Sequence, residues 1–252
     1  LGDPTLRLQL PDYVIDIDSL NGNSDSVVTI RAASNVRVKG HVREFGSSTP
    51  RTDFNGAATI SMYDSDVNRS FMDPSAFSIG DSTVFNVVKQ GGTLHRGNYK
   101  VTKGYFDAEF VVPKDIAYTN ETGRMFVYAH SEKNAHARGS STAFVVGGID
   151  TISHNDTEGP SVRLYLDSPS FLPGDVVRKN PLLLVYLKDE TGINSTGLGV
   201  GHKIEAWVDD GGESLDLSDY YVSSLTSSRE GVATRQLFDL TPGLHSVRVR
   251  VW

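Results

Sequence analysis

The chain has 252 residues, of which 38% are hydrophobic and 22% charged, with 24 glycines, no cysteine and a net charge of −7. That length leaves room for about two domains, each with its own core. The acidic balance argues against a nucleic-acid or anionic-membrane partner, and the lack of cysteine excludes disulfides, thiolate nucleophiles and Cys-ligated metals within the chain.

The opening "LGDPTLRLQLP" sets Leu6, Leu8 and Leu10 against Arg7 and Gln9, so one face is expected to pack and the other to be wet. Pro11 then blocks further pairing in that register. Period-2 alternation runs through almost everything that follows. It places Val36, Val38 and Val42 on one face with Gly40 where a fourth apolar residue is expected, then Ala58, Ile60 and Met62, then Phe106, Ala108 and Phe110. Val162, Leu164 and Leu166 repeat it, as do Ile204, Ala206 and Val208, and finally Val247, Val249 and Val251. Turn signals separate these runs at 21–23, 54–56, 91–92, 169–175, 209–212 and 241–243. No window has helical spacing. The longest apolar run, Leu182 to Leu187, is strand-sized and far short of the ~20 residues that span a bilayer.

Short strands between turns predict an all-β chain of two tandem immunoglobulin-like antiparallel β-sandwiches without substantial helix. The polar stretch "GGIDTISHNDTEGP" follows a last strand expected over 142–146 and marks a linker at about 147–160. The expected division is 1–148, with 1–12 as the tail of an upstream domain, and 149–252, with some eight strands and six or seven. The chain starts without Met and stops inside an alternating strand, which predicts a piece of something larger.

No catalytic, cofactor or metal residue is assigned. His130 and His136 are too far apart for one strand face and fall where a hairpin loop is expected, so solvated loop histidines outweigh a zinc site. The glycines of "TGLGVGH" (196–202) lack the G-x-G-x-x-G spacing and the following helix of a dinucleotide site, and predict a hairpin or bulge. Asp209, Asp210, Glu213, Asp216 and Asp219 form one acidic cluster; Asp64, Asp66 and Asp73 form another. Neither follows a calcium-loop pattern, and charged turns are favoured over structural calcium. A serine elbow is absent, and no carboxylate pair stands out. Trp207, Tyr220 and Tyr221 are the candidates for a sugar platform, although Trp207 faces what is expected to be a second buried surface. Sequons stand at Asn68, Asn120, Asn155 and Asn194.

The order of segments resembles a known family. "LGDPTLRLQLP" is similar to the segment closing the catalytic region of gingipain-type cysteine peptidases. Residues 36–42, 55–64, 103–118, 123–131, 159–167, 179–194, 197–210 and 243–252 resemble, in collinear order, the post-catalytic region of the PorU-type sortases of the type IX secretion system of Bacteroidetes. The resemblance implies an exported protein at the outer-membrane surface. Such sortases remove C-terminal sorting domains from cargo and pass the cargo to a lipopolysaccharide anchor. It also implies that the Cys–His pair doing this chemistry lies before Leu1, so this region is non-catalytic and needs no cofactor. The implied partners are proteins: the upstream peptidase domain, cargo or the outer-membrane PorV, with no nucleic acid and no direct membrane insertion. The alternative from composition alone is a carbohydrate-binding or adhesin-type module.

Overall fold

The computed structural model describes residues 10–24, 26–72, 84–112, 114, 116, 119–149, 158–190, 192–193, 203–209 and 212–251. The chain is all-β, and among the described residues the only helical element is a 3₁₀ turn at Ser218–Tyr220. Among the described residues twelve strands form up to Ile149, and seven follow from Ser161. The larger number before Ile149 includes a two-residue strand and a separate two-stranded ribbon.

The strands that build the first core are β1 (Tyr13–Leu20), β2 (Val28–Ala32), β3 (Asn35–Arg43), β4 (Gly56–Tyr63), β7 (Thr93–Val101), β8 (Tyr105–Val111), β9 (Glu121–Thr122), β10 (Arg124–Ser131), β11 (His136–Ser141) and β12 (Phe144–Ile149). Seven make one sheet in the order β7-β4-β10-β11-β1-β3-β8, faced by β2-β12-β9. Their apolar faces share one core, and the alternation fixes which faces those are. Val36, Val38, Val42, Ala58, Ile60 and Met62 are completely buried. The gap at Gly40 is filled from the next strand: Gly40 pairs with Phe106, and a Cβ at Gly40 would lie 2.5 Å from the Phe106 ring. A glycine beside an aromatic ring is how this pair of strands packs without a second large side chain.

The structure corrects several sequence expectations. The sheets are not wholly antiparallel, because β1 pairs with β11 and β2 with β12 in parallel. The last strand of this part runs Phe144–Ile149 rather than 142–146, carrying Gly147 and Gly148 through a register shift between Val146 and Ile149. Directly after Pro11, Asp12 pairs with a neighbouring strand: its N–H donates to the His136 carbonyl at 2.8 Å, and its carboxylate accepts the His136 N–H. Leu10 is exposed, and residues 1–9 lie outside the described residues.

A second core gathers residues from Leu166 to Leu237. It lies between the sheet β13-β14-β18-β17 and the sheet β16-β15-β19. These strands are β13 (Ser161–Leu166), β14 (Leu182–Lys188), β15 (Glu205–Val208), β16 (Leu215–Asp216), β17 (Tyr221–Ser224), β18 (Ser227–Gln236) and β19 (Val247–Arg250). Ile204 and Ala206 are buried as expected, and Val247, Val249 and Val251 pack on the core half-buried. Val162 departs from its pattern and is exposed, because the apolar face of β13 meets the core only toward Leu166. Most of the linker, 150–157, lies outside the described residues.

The two parts meet at the edges of the seven-stranded sheet. β7 and β8 are its opposite edges, yet the two-residue turn Lys103–Gly104 joins them, with φ of 52° and 82°. This positive-φ pair suits a tight hairpin turn, and a Cβ at Gly104 would meet the Arg51 carbonyl at 2.5 Å. The sheet therefore curls until His95 of β7 stacks on Phe110 of β8, with ring centroids 3.7 Å apart and planes 6° from parallel. Side chains from β17 and β18 cap the open edges. The Asn98 N–H donates to Ser223 Oγ at 2.8 Å, and Ser228 Oγ donates to the Glu109 carbonyl at 2.8 Å.

Candidate functional site

The most exposed apolar element is a separate ribbon of β5 (Val67–Met72) and β6 (Val84–Lys89), paired only with each other. Phe71, Met72, Val84, Phe85, Val87 and Val88 are each at least 50% exposed. Register puts Phe71 opposite Phe85 and Arg69 opposite Val87 on one face, with Met72 opposite Val84 on the other. The ribbon is anchored at its base, where Asp66 accepts the Gly91 N–H at 3.0 Å and pairs with Arg124 at 3.1 Å. A two-stranded ribbon alone is marginal in water, and both its edges have backbone groups free to pair. Contiguous exposed apolar side chains on such an element mark an interaction surface. The sequence reading missed it. Nothing local in "VFNVVK" says that no second sheet covers it.

The residues singled out in the sequence do not converge. His130 and His136 stand in strands rather than in a loop, as direct partners across the β10–β11 hairpin. The His136 ring is held by the Tyr128 hydroxyl at 2.6 Å. Among the described residues no group of three or more His, Asp or Glu side chains is placed to share a metal ion. Asp209 accepts the Ser246 N–H and pairs with His245 at 2.8 Å, which holds its carboxyl below the usual range. Asp216 pairs with Lys203 at 2.7 Å and accepts the Ser218 N–H. Asp64 is buried and accepts the Ser65 N–H. The acidic groups thus serve turns and strand ends. Asp73, Asp210, residues 196–202, Asn155 and Asn194 lie outside the described residues.

The three candidate platform aromatics are also apart. Tyr221 is buried, and its hydroxyl has no hydrogen-bond partner among the described residues. Trp207 is half-buried beneath the guanidinium groups of Arg248 and Arg250, 5.0 and 5.1 Å from its ring. Tyr220 is exposed, with Arg235 stacked 4.9 Å from its ring. Cations already cover the two accessible rings.

The junction holds the most perturbed titratable groups. Burial pushes the His95 imidazole down to about 3 and the Tyr99 hydroxyl well above its ordinary value, with Tyr221 adding to the latter. Burial also raises Tyr221, and Glu230 adds to that shift. The Tyr99 hydroxyl and His95 Nε2 share a hydrogen bond of 2.8 Å. This polar cluster is closed within the junction and serves packing.

No family model matches the chain, and no curated protein does. Among solved structures, the crystal structure of dimeric latent PorU from Porphyromonas gingivalis matches with 27% identity and a TM-score of 0.58. The match covers 99% of this chain and 23% of that one, so this chain spans about a quarter of its length. Spo0M, a sporulation control protein from Bacillus subtilis, matches at 9% identity and TM-score 0.31 over 73% of this chain and 69% of its own. The red sea bream transglutaminase matches at 9% identity and TM-score 0.27 over 96% of this chain and 29% of its own.

Proposed function

We propose that this chain is a non-catalytic β-sandwich region of a PorU-type sortase, serving as spacer and protein-docking surface. One observation carries the reading: the likeness to PorU extends over 99% of this chain, at 27% identity and with a TM-score of 0.58. The geometry agrees with it. The chain has no cysteine to act as nucleophile. Its perturbed groups belong to packing, and its most prominent free surface is an apolar ribbon. On this reading the parent is a gingipain-like cysteine endopeptidase, exported to the outer-membrane cell surface. The region holds that peptidase at a set distance and presents the ribbon to a protein partner: the peptidase domain itself, PorV or cargo.

The test is a parent protein with residues 66–90 replaced by a short polar turn, compared with one lacking the whole region. Loss of partner retention and of cargo processing in both, with the ribbon-truncated protein still folded, is the expected result. Normal localisation, partner binding and processing without the whole region would overturn the proposal.

A further inference from the structure

His130 and His136 face each other across the β10–β11 hairpin, and the backbone shows how closely they are set. Partners in an antiparallel ladder alternate between hydrogen-bonded pairs and non-hydrogen-bonded ones, whose Cα atoms are about 4.5 Å apart and whose side chains stand closer. This pair is of the second kind. The His136 N–H and carbonyl both turn away from β10 and bond Asp12 on the far side. The adjoining pair carries the bond instead, with the Ser131 N–H donating to the Ala135 carbonyl at 2.8 Å. Ala129 and Ala137, the pair before it, point into the core. The two imidazoles therefore leave the outer face of the sheet side by side.

The His136 ring is already oriented. Its Nδ1 lies 2.6 Å from the Tyr128 hydroxyl, and the two rings stack with their planes 22° apart. When Nδ1–H donates to that hydroxyl oxygen, Nε2 keeps its lone pair for a ligand. Metal-binding histidines are held in this manner, through the nitrogen that does not touch the ion. His130 is exposed and makes no hydrogen bond or ring contact among the described residues, so its ring can turn toward the same point. The Asp12 carboxylate on the His136 N–H adds negative charge beside the pair, while Lys100, the cation of the same cross-strand row, stands two strands from His130.

We infer that His130 and His136 form a two-imidazole site for a divalent late first-row transition metal ion. Two rings at this separation can converge on one ion at the metal–nitrogen distance of about 2.0–2.1 Å. Imidazole suits copper, nickel and zinc, of which Cu²⁺ binds tightest, whereas Mg²⁺ and Ca²⁺ want several carboxylate or carbonyl oxygens. Among the described residues no third His, Asp or Glu is placed to share the ion, so water fills its remaining positions. The ion would clip β10 to β11 at the mouth of their hairpin. The inference rests on neither the sortase reading nor the ribbon, and its test touches neither.

The test titrates the 252-residue chain with CuCl₂ and, separately, with ZnCl₂ in a non-coordinating buffer, followed by calorimetry and by NMR of the imidazole rings. One ion per chain is expected, Cu²⁺ binding tighter than Zn²⁺, with Zn²⁺ shifting and Cu²⁺ broadening the His130 and His136 signals. Tyr128→Phe should weaken binding roughly tenfold, the lower end for loss of an orienting partner, and His130→Gln or His136→Gln should weaken it further. Circular dichroism verifies that these variants, all at surface positions, keep the fold. His245→Gln, far along the chain and paired with Asp209, should bind as the parent does. Undiminished binding in any of the three site variants, an equal loss in His245→Gln, tighter binding of Mg²⁺, or no binding at millimolar metal would each overturn the inference.

Discussion

The junction histidine allows a quantitative test. His95 lies flat on Phe110 and shares its Nε2 with the Tyr99 hydroxyl, which in turn feels Tyr221 of the other core. No carboxylate pairs with it among the described residues. Burial lowers its pKa from 6.5 to about 3, so the folded chain holds the ring neutral where the unfolded chain would protonate it. The sign follows from linkage: below pH 6.5 the unfolded state binds the extra proton, and stability falls with pH until about pH 3. One proton corresponds to at most ~1.4 kcal/mol per pH unit, or about 2 kcal/mol between pH 7.5 and pH 5. These are upper bounds, since part of the His95 surface remains accessible.

The perturbation is His95→Gln, whose amide can still accept from Tyr99 but cannot titrate. Urea unfolding of both proteins, followed by tryptophan fluorescence from pH 7.5 to 4.5, gives the difference in stability. Near neutral pH the variant should be the less stable by about 1 kcal/mol, through the lost ring stacking. As pH falls the two curves should converge and then cross, because only the native protein carries the histidine penalty. Carboxylate titrations common to both cancel in the difference. Parallel pH curves would refute the reasoning, as would an NMR titration placing the His95 ring near 6.5.

His245 should behave in the opposite sense. The Thr241 carbonyl and Asp209 raise its pKa, so its contribution is complete below pH 6.5 and is lost as pH rises through the folded value; NMR should show it titrating above 6.5. Gly40→Ala should destabilise by about 1–3 kcal/mol in urea unfolding, since the new Cβ would lie 2.5 Å from both the Phe106 ring and the Asp16 carbonyl. Replacing 66–90 by a polar turn should leave the melting temperature within about 1 °C while lowering binding of an apolar dye, because the ribbon adds nothing to either core. Ser223→Ala should cost about 1 kcal/mol and speed amide exchange at Asn98, whose N–H loses its acceptor.

The all-β class and the core-facing side chains were legible in the sequence wherever one strand face was wet and the other dry. Val36 to Val42 and Ala58 to Met62 read directly as period 2, but the gap at Gly40 gave no sign that Phe106 fills it. Where both faces share the same solvent the pattern has nothing to report, so β5 and β6 escaped. Pairing between distant segments escaped for a different reason. That Asp12 runs parallel to His136, or that Ser223 caps Asn98, depends on chain closure across more than a hundred residues, which local spacing does not encode. His130 and His136 show the same limit at short range, since a hairpin brings together what strand spacing separates.

The capped edges connect these features to the proposed role. A curled sheet whose edge strands β7 and β8 were open would offer unpaired N–H and C=O groups to any passing strand. Ser223 and Ser228 close that route from the second core, and in doing so tie the two cores at both edges rather than by a linker alone. Two attachment points resist rotation in a way one flexible linker does not, and rigidity of that kind is what a spacer requires. The docking element must then lie away from this seam. The β5–β6 ribbon, anchored at Asp66 and free of both cores, is so placed. A Ser223→Ala, Ser228→Ala double variant should therefore loosen the angle between the cores in small-angle scattering while circular dichroism shows both cores still folded. An unchanged scattering profile would sever that connection between rigidity and function.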